Sequence, residues 1–567
     1  MKRIIIFLSF GLLLTGFTIV KQDLFELGKN LEIFAALYRQ VSQHYVEPVD
    51  AGALMKTGID AMLEELDPYT EFIPETSLED FRLKYVNTQY GGLGARILAK
   101  ANGEIVIAEI FEGFAAHKAG LHVGDQILAI DGRPVQGKEA DEVSRLLKGE
   151  EGSRVQLRIN DSKTATIKEV SVVRDNIIQP NVSYANRLPH GIGYIKLDKF
   201  LNGAADEVHQ ALTDLREQGA LNGLILDLRN NGGGILQESV KIINLFVNQG
   251  EKVVVQQGKE QDNVFTYFTS RQSLLPNLPL VVLINGNSAS ASEIVAGALQ
   301  DLDRAIILGE RSFGKGLVQQ TYRLPYNNML KVTVAKYYTP SGRCIQALDY
   351  AHKDKDGKAI KVNDSLMAEF TTRVGRKVYD GNGVFPDIEV AAKKQPAVLQ
   401  ALVKQFLLAD YATQYYNHHE NIPAPGLFRL TDADYADFLT FLKMKQFTYS
   451  SRSEKLMRHL KTSIEEEGLS VNLKDELTSL ENKLLANDDQ ILLSAKAEVK
   501  MQLEKEIVSR YYFQKGKFTY AEKRDKDILK AQDILQPEHK LAYQEVLSGK
   551  GRYGIIGKPG VHLASSE

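Results

Sequence analysis

The sequence predicts a multidomain α/β protein with helical regions before and after a central α/β core. The chain has 567 residues, which is enough for three or four domains. Between about residues 176 and 390, short apolar runs bounded by turn residues alternate with helical patterns. This alternation is typical of a sheet with helices packed on it. Helical spacing of apolar residues dominates residues 23–84 and recurs in residues 391–567.

The composition excludes several classes of protein. The net charge of -3 at pH 7 gives no bulk electrostatic attraction to nucleic acid, so we expect no nucleic-acid partner. Cys344 is the single cysteine, so an intrachain disulfide is impossible. The run His418-His419-Glu420 lacks the spacing of a helical zinc motif. We therefore expect neither a metal nor a cofactor.

The first 22 residues have the pattern of an export signal or a membrane anchor. Met1-Lys-Arg3 is basic, Ile4 to Val20 is an uncharged and mostly apolar stretch, and Lys21 ends it. Because no Ala-x-Ala cleavage site follows, an uncleaved anchor is the favoured interpretation. We expect a periplasmic protein held at the inner membrane.

Residues 23–84 are predicted to be helical. Leu31–Tyr38 has helical spacing, and Pro48–Asp50 breaks the pattern. A second predicted helix, near Ala51 to Leu66, stops at Asp67-Pro68. Dimerisation and simple packing on the core are both compatible with this region.

Residues 85–175 resemble a PDZ domain. The run Tyr90-Gly-Gly-Leu-Gly-Ala95 resembles a carboxylate-binding loop, and Ala119–Gly132 resembles the strand and turn that follow in such domains. A PDZ groove adds an extended peptide to an open sheet edge. The helix from Asp141 to Leu147 would line that groove. The predicted peptide-binding residues are Leu93, Gly94 and Ala95 on the loop, and Val143, Leu146 and Leu147 on the helix.

The most informative segment is a serine-rich turn in the predicted core, which spans residues 176–390. Pro279–Ile284 is a short apolar run that predicts a buried strand, and Ser292–Leu299 predicts a helix. Ser290 therefore lies where a strand turns into a helix. Free backbone N–H groups and the positive end of the helix dipole at such a point favour an anion. Ser288 and Ser292 are candidates for capping the helix.

A lysine follows the serine turn at a distance that suits a shared site. Lys315 lies in a glycine-rich turn 25 residues after Ser290, and Gln319 lies four residues further on. A serine hydroxyl is a weak nucleophile until a base removes its proton. A neutral, desolvated lysine can be that base. The pair predicts a Ser–Lys hydrolase, and Leu317–Leu324 with Met329–Tyr338 predicts a hairpin just after it.

A second glycine-rich loop, Asn230–Gly234, follows the predicted strand Gly223–Arg229. Consecutive glycines let a backbone approach a substrate closely and present its N–H groups. Together with the N–H of Ala291, one of these glycines can form an oxyanion hole. The loop alone does not distinguish between its glycines.

These motifs together resemble the carboxy-terminal processing proteases, also called tail-specific proteases. The resemblance spans about residues 30–390 and rests on Ser-Ala-Ser-Ala-Ser-Glu, Phe-Gly-Lys-Gly and the glutamine four residues after the lysine. It implies that Ser290 is the nucleophile, that Lys315 is the general base and that Gln319 helps to hold the lysine. It also implies a crotonase-like core and capture of C-terminal peptide tails by the PDZ domain. The family's Asn-Pro-Gly-Gly appears here as Asn231-Gly-Gly-Gly234, without the proline. The resemblance implies that Gly233 is the favoured oxyanion donor, with Gly234 as the alternative.

Two other functional classes share some of these features. Gly309–Gly316 matches a phosphate-binding P-loop except at its last position, where Gly316 replaces the Ser or Thr that binds magnesium. A strand pattern rather than a helix follows, which argues against nucleotide binding. The alternative to an active enzyme is a non-catalytic PDZ scaffold, which the intact set of Ser290, Lys315 and Gln319 disfavours.

Residues 391–567 form the predicted helical C-terminal extension. Helical patterns occur at Ala433 to Leu442, Lys474 to Leu485 and Ile491 to Tyr512, with charges of both signs. Binding of an adaptor, homodimer formation, control of access to the site and an inert helical cap all fit this pattern. The predicted domain boundaries are therefore 22/23, 84/85, 175/176 and 390/391.

Overall fold

The computed structural model describes residues 25–549 apart from 87–88, 261–262, 364–366, 392–394, 450–451, 468–472, 474–475 and 481–487. The described chain divides into two compact units. The smaller unit contains residues 25–78, 319–334 and 350–358, and the larger one contains 79–318, 335–349 and 359–549. The predicted leader, residues 1–22, lies outside the described residues.

Two helices begin the smaller unit. The first spans residues 25–44, and the second spans Ala51–Glu64. The side chain of Asp50 caps the second helix by accepting the backbone N–H of Ala53 at 3.0 Å. The short strand Glu71–Ile73 pairs antiparallel with residues 329–331, and the 3-10 helix Glu75–Ser77 follows it. The two predicted helices and the break between them are confirmed.

The N-terminal helices leave large apolar side chains exposed. Phe25, Leu31 and Leu37 expose 68%, 68% and 59% of their surface, and the helix Ala51–Glu64 has no buried residue. Among the helices of the described residues, none is both long enough and apolar enough to cross a membrane.

The PDZ region of the larger unit is built on a six-stranded antiparallel sheet. Five of its strands lie in the order Ala95–Ala99, Ile105–Ile110, Gln126–Ile130, Arg154–Asn160 and Ile167–Val173, and Arg133–Pro134 pairs with the third of them. The strand Gln89–Gly92 pairs antiparallel with Asp175–Ile178. The helices of this region are Leu78–Tyr85, Ala115–Lys118 and Ala140–Leu147.

The α/β core contains a mixed six-stranded sheet. Its strands lie in the order Val182–Leu188, Ile192–Leu197, Gly223–Asp227, Leu280–Ile284, Ile306–Gly309 and Ile388–Glu389. The first pair is antiparallel and the other pairs are parallel. One face of the sheet is covered by the helices Ala204–Glu217, Leu236–Asn244 and Ala291–Asp301. A 3-10 helix, Pro189–Gly191, joins the first two strands.

The opposite face of this sheet is covered by the end of the C-terminal extension. Ile528, Ile534 and Leu535 of one helix and Tyr543 of the next are buried against sheet residues such as Val281. A parallel sheet needs both faces covered, which explains why its strands Leu280–Ile284 and Ile306–Gly309 are buried along their whole length. The extension is therefore part of the core packing and is not only an inert cap.

Further strands do not belong to the six-stranded core sheet. Lys252–Gly258 pairs antiparallel with Val264–Phe268 and with residues 335–338 of the strand Met329–Tyr338. The predicted hairpin of Leu317–Arg323 with Met329–Tyr338 is confirmed. The remaining strands are Leu348–Lys353, Ala359–Lys361, Glu369–Thr371 and Lys377–Tyr379.

The C-terminal extension has a separate apolar core formed by helices. Leu402, Tyr411, Phe438, Leu503 and Ile507 are buried together there. The predicted helix at 433–442 is confirmed, the one at 491–512 is divided between two helices, and part of 474–485 lies outside the described residues. The helices are Ala397–Lys404, Leu407–His418, Asp432–Met444, Arg452–Glu466, Asp488–Ser494, Lys496–Ala521, Lys526–Leu535, Pro537–His539 (3-10) and Lys540–Leu547.

Candidate active site

Ser290 lies at the sharp turn between the strand Leu280–Ile284 and the helix Ala291–Asp301. Its backbone has φ 57° and ψ -115°, which is strained for a residue with a side chain. Such strain persists where the surrounding contacts fix the conformation. The predicted strand-to-helix position of Ser290 is confirmed.

The neighbouring serines fasten the turn to the glycine-rich loop. Ser288 Oγ accepts the N–H of Asn285 and donates to the carbonyl of Leu228, both at 2.9 Å. Ser292 Oγ donates to the carbonyl of Asn231 at 2.8 Å. The capping role predicted for these two serines is therefore wrong, because their hydroxyls bond the adjacent loop.

Glu293 performs the capping instead, and the sequence analysis gave it no role. Its side chain is fully buried, and its Oε2 accepts the backbone N–H of Ser290 at 2.8 Å. The same oxygen accepts the backbone N–H of Lys315 at 2.9 Å. The glutamate of the Ser-x-x-Glu spacing was a recognisable capping-box signal.

The turn that carries Lys315 is held against the serine turn by its backbone. The N–H of Phe313 donates to the carbonyl of Ser288 at 3.0 Å. Gly314 has φ +90°, and a Cβ there would lie 2.5 Å from the Cβ of Ala347. A glycine is thus required at this position, and the structure brings the lysine turn and the serine turn together.

The glycine-rich loop reaches the same place. A Cβ on Gly233 would lie 2.8 Å from the backbone nitrogen of Ala291 and 2.8 Å from Cβ of Ser290. A Cβ on Gly234 would instead lie 2.4 Å from the carbonyl oxygen of Phe200. Of the two candidate donors, Gly233 is therefore the one beside the serine turn.

Tyr337 is a further residue at the site that the sequence analysis missed. Its hydroxyl donates to the carbonyl oxygen of Ser290 at 3.2 Å, and its side chain is buried. Burial and the nearby charge of Glu293 raise the pKa of Tyr337 far above its usual range, so the hydroxyl remains a donor. Gln319 lies in the hairpin of the smaller unit, where its Nε2 donates to Oγ1 of Thr333 at 3.1 Å.

A buried charge network lies at the base of the glycine-rich loop. Arg229 bonds Asp227 on its own strand, and its Nη1 bonds the carboxylates of Asp525 and Asp527 at 2.9 Å and 2.8 Å. Burial raises the pKa of Asp227, but the charges of Arg229 and Lys196 outweigh it and hold that pKa well below its usual range. The loop is thereby tied to the C-terminal helices.

The predicted peptide-binding residues surround the first strand of the PDZ sheet. Ala95 begins the strand Ala95–Ala99, and Gly94 has φ +70° with its carbonyl bonded to the N–H of Phe111. Leu93, Val143 and Leu147 are buried in the PDZ core, and Leu146 is half-buried against it.

One group of side chains has the spacing of a metal site. One ligand atom from each of His122, Asp125 and Asp161 lies within 4.8 Å of the others. Both oxygens of Asp125 already accept backbone N–H groups at 2.8 Å, and Asp161 bonds Lys168. These carboxylates stabilise the local loops, and no metal role is assigned to them.

Models of three protein families match parts of this chain. The model of peptidase family S41 matches residues 191–355, and the PDZ domain model matches residues 84–160. A third model, the C-terminal helical domain of a probable PDZ-protease, matches residues 398–535.

Two relatives and one solved structure are each similar to more than half of this chain. The chain is 36% identical over 346 residues to the carboxy-terminal-processing protease of Bartonella bacilliformis, covering 60% of this chain and 79% of that protein. It is 33% identical over 334 residues to a probable CtpA-like serine protease of Staphylococcus aureus, covering 59% of this chain and 64% of that protein. The solved photosystem II D1 C-terminal processing protease is 28% identical, with a TM-score of 0.33, over 64% of this chain and 93% of that one.

Proposed function

The chain belongs to peptidase family S41 and is a serine peptidase with a PDZ domain, and from that premise we propose its substrates and its catalytic residues. It cleaves exported polypeptides after the PDZ domain captures their C-terminal tails. Ser290 is the nucleophile and Lys315 is the general base.

One observation carries this proposal. The backbone N–H groups of Ser290 and Lys315 donate to the same carboxylate oxygen, Oε2 of Glu293, at 2.8 Å and 2.9 Å. Two residues that are 25 positions apart in the chain therefore share one buried acceptor. The shared acceptor brings the backbones of the two residues close together, which supports pairing a hydroxyl nucleophile with its base at this place.

The chemistry follows from the two side chains. The neutral amine of Lys315 takes the proton of Ser290 Oγ as that oxygen attacks the scissile carbonyl carbon. The C–N bond then breaks, and the Lys315 ammonium gives the proton to the leaving amine. Water then attacks the resulting ester while the Lys315 amine takes its proton. The Lys315 ammonium returns that proton to Ser290 Oγ as the ester C–O bond breaks, and the new carboxyl group ionises to solvent.

The developing oxyanion is assigned to the N–H groups of Gly233 and Ala291. The contact that a Cβ on Gly233 would make with the nitrogen of Ala291 supports this pairing. In the structure the Gly233 N–H donates to Oδ1 of Asn231 at 2.9 Å. Binding of the transition state must draw this donor from the amide oxygen to the oxyanion.

Tail capture is assigned to the edge of the PDZ sheet. Within the described residues, the strand Ala95–Ala99 ends the strand order and pairs with Ile105–Ile110 alone, so its other edge can accept an extended peptide. A peptide substrate with an amidated C-terminus should show a KM raised about tenfold or more at similar kcat. An unchanged KM would contradict carboxylate recognition.

We also propose that a second copy of this chain covers the N-terminal helices. The exposed apolar side chains of Phe25, Leu31 and Leu37 support this assignment, since such a surface favours association. Sedimentation of the wild type should give a dimer, and Leu31→Glu with Leu37→Glu should give a monomer. A wild-type monomer would favour an adaptor protein instead.

The location is proposed from residues 1–22 alone. Their basic start and apolar stretch support export with retention at the inner membrane. Cell fractionation of the full chain should place it with the inner membrane and its core on the periplasmic side. Recovery in the cytoplasm would contradict the proposal.

The activity test compares the wild type with Ser290→Ala and Lys315→Ala on an unfolded protein that has an apolar C-terminal tail. Mass spectrometry of the products should show cleavage by the wild type and none by either folded variant. Equal cleavage by all three proteins would remove the proposed dyad.

A further inference from the structure

We propose that Glu293 is a positioning residue whose carboxylate holds the nucleophile and the base at a fixed separation. The inference rests on the proposed roles of Ser290 and Lys315. Glu293 does not touch the scissile bond in this account. It acts on catalysis through the backbones of the two residues that do.

Four donors converge on this carboxylate. Oε2 accepts the N–H groups of Ser290 and Lys315, and Oε1 accepts the N–H of Gly314 at 2.7 Å and the hydroxyl of Ser312 at 2.5 Å. Three of the four donors are backbone groups, which cannot turn away as a side chain can. The four hydrogen bonds offset part of the free energy that burial costs this carboxylate.

The four donors come from two separate segments. Ser290 begins the helix Ala291–Asp301, whereas Ser312, Gly314 and Lys315 follow the strand Ile306–Gly309. Both N–H groups on Oε2 lie within 2.9 Å of one atom, so that atom limits the distance between the two backbones. A movement of either segment changes the approach of the lysine amine to the serine hydroxyl.

Glu293 also restrains the strained backbone of Ser290. The residue has φ 57° and its N–H is bonded to Glu293 Oε2, while its carbonyl accepts the hydroxyl of Tyr337. A strained conformation relaxes when the groups that hold it are removed. Loss of the carboxylate should therefore misplace the serine as well as release the lysine turn.

The helix-capping contact alone would not predict this role, because a cap needs only the Ser290 N–H. The bonds to Gly314 and Lys315 lie outside the helix and contribute nothing to its cap. Misplacement of reacting groups by about 1 Å costs on the order of 100-fold in rate. The expected effect of losing Glu293 is therefore on kcat and not on substrate affinity.

The test uses two substitutions in the full chain. Glu293→Met keeps the length of the side chain but removes both acceptors. Glu293→Gln keeps one amide oxygen, which can still accept both N–H groups of the Oε2 pair. With a peptide substrate that has a free C-terminal carboxylate, Glu293→Met should lower kcat about 100-fold with KM changed less than about threefold. Glu293→Gln should recover about a tenth of the wild-type kcat.

A matched control separates positioning from stability. Glu504 is also a buried glutamate that accepts a backbone N–H, from Leu430 at 2.9 Å, and a tyrosine hydroxyl, from Tyr520 at 2.5 Å. Glu504→Met should lower the melting temperature and leave kcat of the folded protein within about twofold of wild type. If Glu293→Met does not fold, the comparison of Glu293→Gln with Glu504→Gln decides the question in the same way.

The result that overturns the inference is a Glu293 variant that folds and keeps wild-type kcat, or one that changes kcat no more than the Glu504 control. Ser290→Ala and Lys315→Ala are measured in the same assay. If those two variants cleave normally, the proposed dyad fails. If they are inactive while the Glu293 variants are fully active, only the positioning role fails.

Discussion

Gly233 donates its backbone N–H to the side-chain oxygen of Asn231, two residues earlier, at 2.9 Å. Asn231 is itself buried, and its Nδ2 donates to the carbonyl of Leu197 at 2.8 Å. The proposed oxyanion donor is thus bonded to a fixed amide oxygen, which it must leave to reach the oxyanion. Its position beside Ser290 depends on the absence of a side chain at Gly233.

The first prediction concerns the absence of a side chain at Gly233. Gly233→Ala should lower kcat at least 100-fold, because the new Cβ would lie 2.6 Å from the carbonyl oxygen of Ala289 and the backbone has φ +93°. Gly232→Ala is the control, since no atom lies within 4 Å of a Cβ at that position. Steady-state kinetics of both variants check the prediction, and equal kcat values would contradict it.

The second prediction concerns pH. Burial raises the pKa of Glu293 to about 7 from an ordinary 4.5, even though its hydrogen bonds lower it. Its titratable neighbours are Tyr337, which stays neutral, and Lys315, whose backbone N–H it accepts. A protonated carboxyl has a hydrogen of its own and cannot accept all four donors. Activity should therefore rise as the pH increases through about 7.

Stability should change in the opposite direction over the same range. The folded chain binds the proton of the Glu293 carboxyl more tightly than the unfolded chain does. Protonation of Glu293 therefore adds fully to the free energy of unfolding below about pH 4.5, and this contribution is lost by about pH 7. The difference between the two pKa values of Glu293 corresponds to roughly 3 kcal/mol of unfolding free energy. Glu293→Gln should remove this contribution from the curve of unfolding free energy against pH. A variant with the same pH dependence as wild type would show that Glu293 does not titrate there.

The third prediction concerns the contact between the glycine-rich loop and the C-terminal helices. Arg229→Met should destabilise the fold by about 3–5 kcal/mol, because it leaves the buried charge of Asp227 without its arginine. Lys530→Met is the control, since its ion pair with Asp533 is exposed and contributes less than about 1 kcal/mol. Denaturant unfolding measures both. Equal losses would mean that the Arg229 network contributes no more than a surface pair.

The fourth prediction concerns the second face of the core sheet. Ile534→Ala should lower the free energy of unfolding by about 2–5 kcal/mol, since Ile534 is buried against the sheet. Leu529 is in the same helix but 43% exposed, so Leu529→Ala should cost much less. Thermal unfolding of the two variants checks this. Similar melting temperatures would contradict a packing role for the helix Lys526–Leu535.

The local features of the site were predictable from sequence. The apolar run before Ser290 and the small residues after it indicated a strand and a helix, and both form. The hairpin after Lys315 was equally clear, because apolar patterning and turn residues are local signals. The choice between Gly233 and Gly234 was not predictable, because it depends on which glycine contacts the distant serine turn.

The remaining features depend on contacts between distant segments. Residues 526–547 cover the core sheet, yet nothing in their amphipathic pattern says which surface they pack on. Glu293 was recognisable as a capping residue, but its bonds to Gly314 and Lys315 require the folded chain. In the sequence, Arg229 is simply a charged residue after an apolar strand. Its ion pair with Asp525 becomes evident only in the folded chain.

The most direct test of the account is to identify the residue that becomes acylated. The wild type is mixed with excess peptide, quenched in acid within one turnover, digested and mapped by mass spectrometry. The account predicts an acyl adduct on the fragment that contains Ser290, and none with Ser290→Ala or Lys315→Ala. An adduct on another residue, or peptide cleavage by folded Ser290→Ala, would contradict it.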